Sequence, residues 1–261
     1  MILPASLPTF EELHAPRSWA VVDFISDLHL SDDTPHGFDA WSRYMRTTPA
    51  DAVIILGDLF EAWVGDDSRL DGFEARCVNV LAAAASTRHV ALMVGNRDFL
   101  LGPALLAACG ASHLSDPTVL VLDGQRLLLS HGDALCIGDV EYQQFRSLVR
   151  SPSWQADFLA LALPERRLRA RQMREQSQQR QRLQPATQWF DVDAASAIQW
   201  MQAANAPVLI HGHTHRPARE VLAPGRVRHV LSDWEFGPGH ASRGDVLRWQ
   251  HGDLARLPLP P

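Results

Sequence analysis

Five times along this chain a short apolar run breaks at a sharp turn and delivers side chains that can bind a metal. In the plainest case Val53, Ile54, Ile55 and Leu56 lead through Gly57 to Asp58. The other four end in Asp27-Leu28-His29, Gly95-Asn96-Arg97-Asp98, His131-Gly132-Asp133 and His211-Gly212-His213-Thr214-His215. An uninterrupted apolar run bounded by glycine reads as a strand buried on both faces. In an open α/β sheet, ligands bind just beyond the carboxyl ends of such strands. Five strand ends are therefore expected to aim at one place, which restricts the chain to folds that line up parallel strands.

The intervening segments support this. Helical spacing is predicted over 38–46 and 72–88, so the first three strands are linked as βαβ units, and alternation of this kind argues for a mostly parallel sheet with helices packed on it. From Val119 the pattern changes. Two apolar runs flank Asp123-Gly124, a hairpin signal, and 226–231 and 245–249 read as further strands of a second, partly antiparallel sheet. The expected fold is α/β: a two-sheet mixed β-sandwich flanked by helices. Residues 139–205 show little strand signal and predict helices over 140–149, 154–163, 165–182 and 193–204. They are read as a helical cap inserted into a core of 19–138 and 206–257, with 1–18 as an N-terminal tail.

With 261 residues and 46% hydrophobic content the chain can bury a full core. Its net charge of −6 gives it no overall electrostatic footprint for nucleic acid, so any anion it binds must be held locally. Every basic residue is arginine, which excludes a phosphate-loop lysine and a Schiff-base lysine. Cys77, Cys109 and Cys136 are odd in number and widely spaced, fitting neither a disulfide framework nor a zinc knuckle. Cys136, although near His131, reads as a small buried hydrophobe. The first residues lack the basic start and apolar core of a signal peptide, and no apolar run reaches the roughly 18 residues of a bilayer span. A cytoplasmic location is expected, with peripheral contact to the inner membrane and no obligate protein partner. The contact surface is expected in the cap, where apolar 158–163 precedes Arg166, Arg167, Arg169, Arg171, Arg174, Arg180 and Arg182. Such a pairing reads as a surface for anionic lipid or for a phosphate-bearing amphiphile.

Asp27, His29, Asp58, Asn96, His131, His211 and His213 offer more N and O donors than one ion accepts. Two ions sharing a carboxylate, roughly 3.5–4 Å apart, is the economical solution, with Asp58 as the natural bridge. The set contains no thiolate, which argues against a structural zinc site and suits Mn²⁺, Fe²⁺ or Zn²⁺ at a hydrolytic centre. Asp66, Asp67, Asp98 and Asp133 are expected to shape loops, and His215 to orient a ligating side chain. His36, His89, His113, His229, His240 and His251 stand outside any motif.

These motifs resemble those of the calcineurin-like binuclear metallophosphoesterases, over most of the chain from Asp27 to about Trp234. Within that family Gly57-Asp58-Leu59-Phe60-Glu61-Ala62-Trp63-Val64-Gly65-Asp66-Asp67, Gly95-Asn96-Arg97-Asp98-Phe99-Leu100 and His211-Gly212-His213-Thr214-His215-Arg216-Pro217 are similar to the branch acting on UDP-2,3-diacylglucosamine in lipid A biosynthesis. The resemblance implies two divalent ions, with Mn²⁺ expected. One would be held by Asp27, His29, Asp58 and His213, the other by Asp58, Asn96, His131 and His211. It implies attack of metal-activated water on the α-phosphorus of the diphosphate, giving UMP and 2,3-diacylglucosamine 1-phosphate (lipid X). It further implies substrate contacts from Asn96, Arg97, Asp139, His211 and the cap residues Ser177, Gln181 and Gln184. The last two depart from the family's Asn and Lys, so Arg180 or Arg182 is expected to supply the cation. Many phosphomonoesterases of this fold carry His after the motif asparagine, where this chain has Arg97. A sugar phosphate leaves as a phosphate, with a second pKa of about 6, and needs little proton assistance. Arginine there is better suited to clamping the diphosphate. The competing readings are a phosphoesterase for another nucleotide or phosphodiester, and a non-catalytic, metal-stabilised membrane-peripheral scaffold.

Overall fold

The computed structural model describes residues 7–183, 190–237 and 242–259. Its first sheet is built on parallel strands β2 (Val21–Ile25), β3 (Ala52–Leu56), β4 (His89–Met93) and β5 (Ser112–Leu114). It is extended on the other side of β2 by antiparallel β11 (Asp245–Gln250) and β12 (Asp253–Pro258). The second sheet runs in the order β1 (Glu11–His14), β6 (Thr118–Leu122), β7 (Gln125–Ser130), β8 (Val208–His211), β10 (Arg226–Val230) and β9 (Ala218–Ala223). Both sheets are mixed, and they pack face to face as a sandwich. The hairpin expected at Asp123-Gly124 joins β6 to β7, with both turn residues at positive φ (48° and 76°), the combination that matches the twist of paired strands.

Alternation within β3 shows how the layers are specified. Ala52, Ile54 and Leu56 point between the sheets, where they meet Leu127, Leu129, Ile210 and Leu247. Val53 and Ile55 point the other way, against α1 (Pro35–Thr47), α2 (Gly72–Ala85) and α3 (Pro103–Cys109) through Trp41, Met45, Leu81 and Leu105. A strand buried on both faces needs no polar residue at either period, hence the unbroken apolar run. Each such side chain contributes about 1.5–3 kcal/mol by leaving water.

The insertion contains α4 (Val140–Val149), α5 (Pro152–Leu159) and α6 (Leu163–Leu183), followed by α7 (Ala194–Ala203). The fourth helix is not part of a cap. Ala197, Trp200 and Met201 are buried against Val119, Leu128 and Leu209, so α7 covers the outer face of the second sheet as α1 and α2 cover the first. The chain departs from the core after Leu135 and comes back beside it, where Asp193 N donates to Leu135 O at 2.9 Å. The cap is therefore α4–α6.

Two other expectations are corrected. Residues 11–14 of the supposed tail form β1, an edge strand parallel to β6. Strand β11 belongs to the first sheet, beside β2, because Leu247 and Trp249 fill the space between the sheets under Val22 and Phe24. The interrupted apolar stretch after Phe99 divides into α3 and β5 at Gly110, which takes the left-handed conformation (φ 69°) that ends a helix.

Candidate metal centre

Strands β2, β3 and β4 of one sheet and β7 and β8 of the other end at the same edge of the sandwich, and their loops are laced together by main-chain bonds. Asp27 N donates to Gly57 O (3.1 Å), His29 N to Asp58 O (3.1 Å) and Gly212 N to His131 O (3.0 Å). Asp27, His29, Asp58, His213 and His215 all adopt positive φ, between 48° and 68°. That conformation costs a non-glycine residue of order 1–3 kcal/mol and persists only where the surroundings over-determine it. Here the surroundings include Asp98, fully buried, which accepts from Gly95 N (2.7 Å), Leu59 N (2.8 Å) and Asp58 N (3.3 Å). Gly95 is required by close approach, since a Cβ there would overlap Asp58 Oδ1.

Several of the candidate donor atoms lie close together. Asp27, Asp58 and His131 form one close cluster, and Asp27, His29 and His215 another, so Asp27 lies in both. Asn96 Oδ1 is met by His131 Nε2 (3.0 Å) and His213 Nδ1 (2.8 Å). His131 Nδ1 donates to Leu56 O (2.9 Å), which leaves Nε2, beside the Asn96 amide oxygen, as the nitrogen that would ligate once a cation displaces its proton. His211 repeats the arrangement. Its Nδ1 is turned to Gly212 O (2.8 Å), while Nε2 is buried with no hydrogen-bond partner. Asp27 Oδ1 is also buried without a hydrogen bond. Acceptors turned toward one another in a buried site are what a cation between them would satisfy. The residues present fit a pair of divalent ions.

Electrostatics agree. Burial pushes the His29 and His213 imidazoles down to about 3 and His211 to about 4, so all three are neutral at pH 7, the form that ligates. Burial raises Asp58 to about 7, opposed by His131 and reinforced by Asp98 and Asp27. At His131 burial acts downward, but Asp58, Asp27 and Asp133 outweigh it and raise the imidazolium to about 9. The carboxylates of this cage require positive charge.

A model of the calcineurin-like phosphoesterases matches residues 20–217. The chain belongs to that family. It is 44% identical to the UDP-2,3-diacylglucosamine hydrolase of Chromobacterium violaceum, over 91% of this chain and 98% of that one. The hydrolase of the same name from Ralstonia nicotianae is also 44% identical, over 97% and 98%. That from Stenotrophomonas maltophilia is 41% identical, over 89% and 98%. Like other members of the calcineurin-like family, this chain uses divalent metal ions.

Against that family pattern the remaining side chains can be placed. Asp66 accepts from Gly102, Ala104 and Leu105 N at the start of α3, and Asp67 pairs with the buried Arg166 of α6. Asp133 accepts from Tyr142 Oη (2.6 Å) and Arg146 Nε (2.8 Å) of α4. These three, with Asp98, shape loops as expected, and two of them also hold the cap. His215, expected to play an orienting part, stands in the donor cluster itself, 3.3 Å from Asp27 Oδ1, with Nδ1 3.5 Å from Asp233 Oδ2. Asp139 caps α4 through Tyr142 N (3.0 Å). Ser177 is exposed on α6. Gln184 and the side chains of Gln181, Arg180 and Arg182 lie outside the described residues. Cys136 is buried and its thiol is pushed up to about 12 by burial, which rules it out as a nucleophile at neutral pH.

Sequence reasoning missed Glu61. It lies 3.4 Å from His29 Nδ1, 3.6 Å from Arg97 Nη1 and 2.6 Å from Arg174 Nε. Its signal was available: a lone carboxylate among Leu59, Phe60, Ala62 and Trp63, three residues after Asp58.

Proposed function

We propose that the chain hydrolyses UDP-2,3-diacylglucosamine at its diphosphate, giving UMP and 2,3-diacylglucosamine 1-phosphate. The observation that carries this reading is the position of Arg97. It follows Asn96 at the rim of the cage, with its backbone N bonded to Asp58 Oδ1 (2.8 Å) and its side chain a quarter exposed. A guanidinium so placed grips a diphosphate at the metal centre and has no proton to give a leaving alkoxide.

Asp27, His29, Asp58 and His213 would hold one ion in this reading, and Asp58, Asn96, His131 and His211 the other, with Mn²⁺ as the ion that would suit this mixture of imidazole, carboxylate and amide. When bound, such ions lower the pKa of water and neutralise charge developing on phosphate oxygens. The protein supplies the rest. Asp58 is fixed by Arg97 N and the Asp98-gathered loop, so it would need no reorganisation to ligate. Arg97 holds the diphosphate in line for water. The new O–P bond forms at the α-phosphorus as its bond to the bridging oxygen breaks, and the proton of water passes to solvent. The departing sugar phosphate carries its own charge, with a second pKa of about 6.

The acyl chains call for an apolar approach. The cap exposes Val140, Leu148, Leu159 and Leu168 beside the arginines of α6, a composition that supports peripheral contact with the anionic cytoplasmic face of the inner membrane. Among the described residues no helix is long and apolar enough to cross a membrane. The decisive assay compares hydrolysis of UDP-2,3-diacylglucosamine, UDP-glucose and p-nitrophenyl phosphate with Mn²⁺ present. The acylated substrate is expected to win by a wide margin; preference for either soluble compound overturns the reading. Cosedimentation with vesicles rich in anionic lipid tests the membrane contact, which fails if binding is no better than to neutral vesicles.

A further inference from the structure

Glu61 joins parts of the site that no strand connects. Its backbone is tied to the loop carrying His29, with Glu61 N donating to Leu30 O at 3.1 Å, beside a bridge between Leu30 and Phe60. Its side chain is 12% exposed and faces three groups of possible positive charge. Oε2 lies 3.4 Å from His29 Nδ1, a ring nitrogen with no hydrogen bond in the structure. Oε1 touches Arg174 Nε at 2.6 Å, an ion pair in contact without an aligned hydrogen bond, and lies 3.6 Å from Arg97 Nη1. Arg97 belongs to the cage loop after β4, whereas Arg174 belongs to α6 of the cap. Glu61, Phe60 and Phe73 of the core and Arg167 and Arg174 of α6 line a cavity of about 330 Å³.

Two guanidiniums converging on one half-buried spot repel each other unless an anion stands between them, and at an effective dielectric near 20 that repulsion is of order kcal/mol. A carboxylate on the far ring nitrogen of a histidine also fixes its tautomer and leaves Nε2 free to ligate. Resting on the hydrolase reading above, we propose that Glu61 is a positioning residue with both tasks. It keeps Arg97 of the cage and Arg174 of the cap poised on either side of the diphosphate's path, and it orients His29 toward its metal. Glu61 touches no reacting atom. It presents to the arginines the kind of oxygen anion that the substrate phosphate brings, so both guanidiniums are set at phosphate-binding geometry before substrate arrives.

The test uses the full chain with Glu61→Gln, which keeps shape and removes charge, Glu61→Asp, which keeps charge and shortens reach, and Arg97→Ala alone and combined with Glu61→Gln. Folding is checked by circular dichroism and thermal melting. Mn²⁺ alone is titrated calorimetrically into each metal-free protein. Glu61→Gln is expected to weaken Mn²⁺ binding about 10-fold, within the range for loss of a group that orients a ligand. It is also expected to raise KM for UDP-2,3-diacylglucosamine about 10-fold at saturating Mn²⁺, with kcat changed less than about 3-fold, and Glu61→Asp should recover part of both losses. The double variant should have nearly the KM of Arg97→Ala, since coupled residues are not additive. Wild-type Mn²⁺ affinity in Glu61→Gln overturns the first task, and a double variant whose KM is the product of the single effects overturns the second. If the wild-type chain does not turn over this substrate, the function reading fails on its own, while the Mn²⁺ titration still decides whether Glu61 orients His29.

Discussion

The cage and the cap adjoin each other but are held in different ways. The cage is fixed from within. Its side chains sit at the ends of strands buried within the sandwich or within five residues beyond them, five of them at positive φ, with main-chain bonds running directly from loop to loop. The cap is fixed by side chains that cross to the core: Phe158 and Trp154 of α5 pack into the apolar cluster around α1–α3, and long polar tethers run from Arg166 to Asp67 and Val64 O, Tyr142 and Arg146 to Asp133, Arg150 to Gly95 O, and Arg174 to Glu61. Rigid backbone suits a centre where small displacements would unseat ions. Side-chain tethers would suit the cap's part in the proposed function, which is to admit two acyl chains.

If the two regions are as separable as this, variants should sort cleanly. The largest effect is expected from Asp58→Ala, which removes the carboxylate proposed to bridge the two ions. Turnover should fall by about 10⁴ or more, with both ions lost; retention of two ions per chain by elemental analysis would break the bridge assignment. Arg97→Ala, at the rim, should lower kcat/KM by about 100-fold, the scale of a lost charge-assisted contact to phosphate, with metal content unchanged. Loss of metal would mean that Arg97 belongs to the cage. Asp133→Asn releases Tyr142 and Arg146, so KM should rise about tenfold while metal content holds, as for a residue that orders a binding surface. A matching loss of metal would show that cap and cage are one unit. Arg166→Ala should cost about 1–3 kcal/mol by leaving Val64 O unsatisfied, read as a lower denaturant midpoint with wild-type metal affinity.

The smallest expected effect concerns pH. His131 in the metal-free fold titrates near 9, above the ordinary 6.5, so its stabilising contribution is complete below about 6.5 and is lost as pH rises through 9. Asp58, raised to about 7, acts in the same direction at lower pH. The Tm in chelator should therefore drop by a few degrees between pH 7 and 9, and saturating Mn²⁺ should remove that drop by supplying the positive charge itself. An equal drop with and without Mn²⁺ would sever the link between proton and ion.

This contrast also explains what could be read in the sequence. The cage was legible because each donor stands at a fixed short distance from a strand whose apolar run announces itself, and because glycines such as Gly95 mark where backbone passes under a ligand. Helix α4 was legible to the residue, since Asp139 is a capping side chain followed by a periodic pattern. The assignment of 194–203 to the cap failed because periodicity reveals that a helix has an apolar face but not which surface it meets; Trp200 and Met201 found the second sheet. Edge strands β1, β9 and β12 are short and half exposed, so they lack an unbroken apolar run. Glu61 and Arg166 were hidden for a related reason. Their partners lie about a hundred residues away or on other loops, and composition alone placed Arg166 in the lipid-facing arginine surface although it is 3% exposed.

The closeness of Leu135 to Asp193 has a further meaning. An insertion whose two stems are already clasped by a backbone bond can be trimmed, lengthened or replaced by a relative's without pulling on the strands beneath it. Descendants of one ancestral phosphate-cleaving scaffold could thereby acquire new tastes in lipid by swapping headgear, and chimaeras that transplant 139–192 between homologues should inherit the donor's acyl preference and keep the recipient's ions.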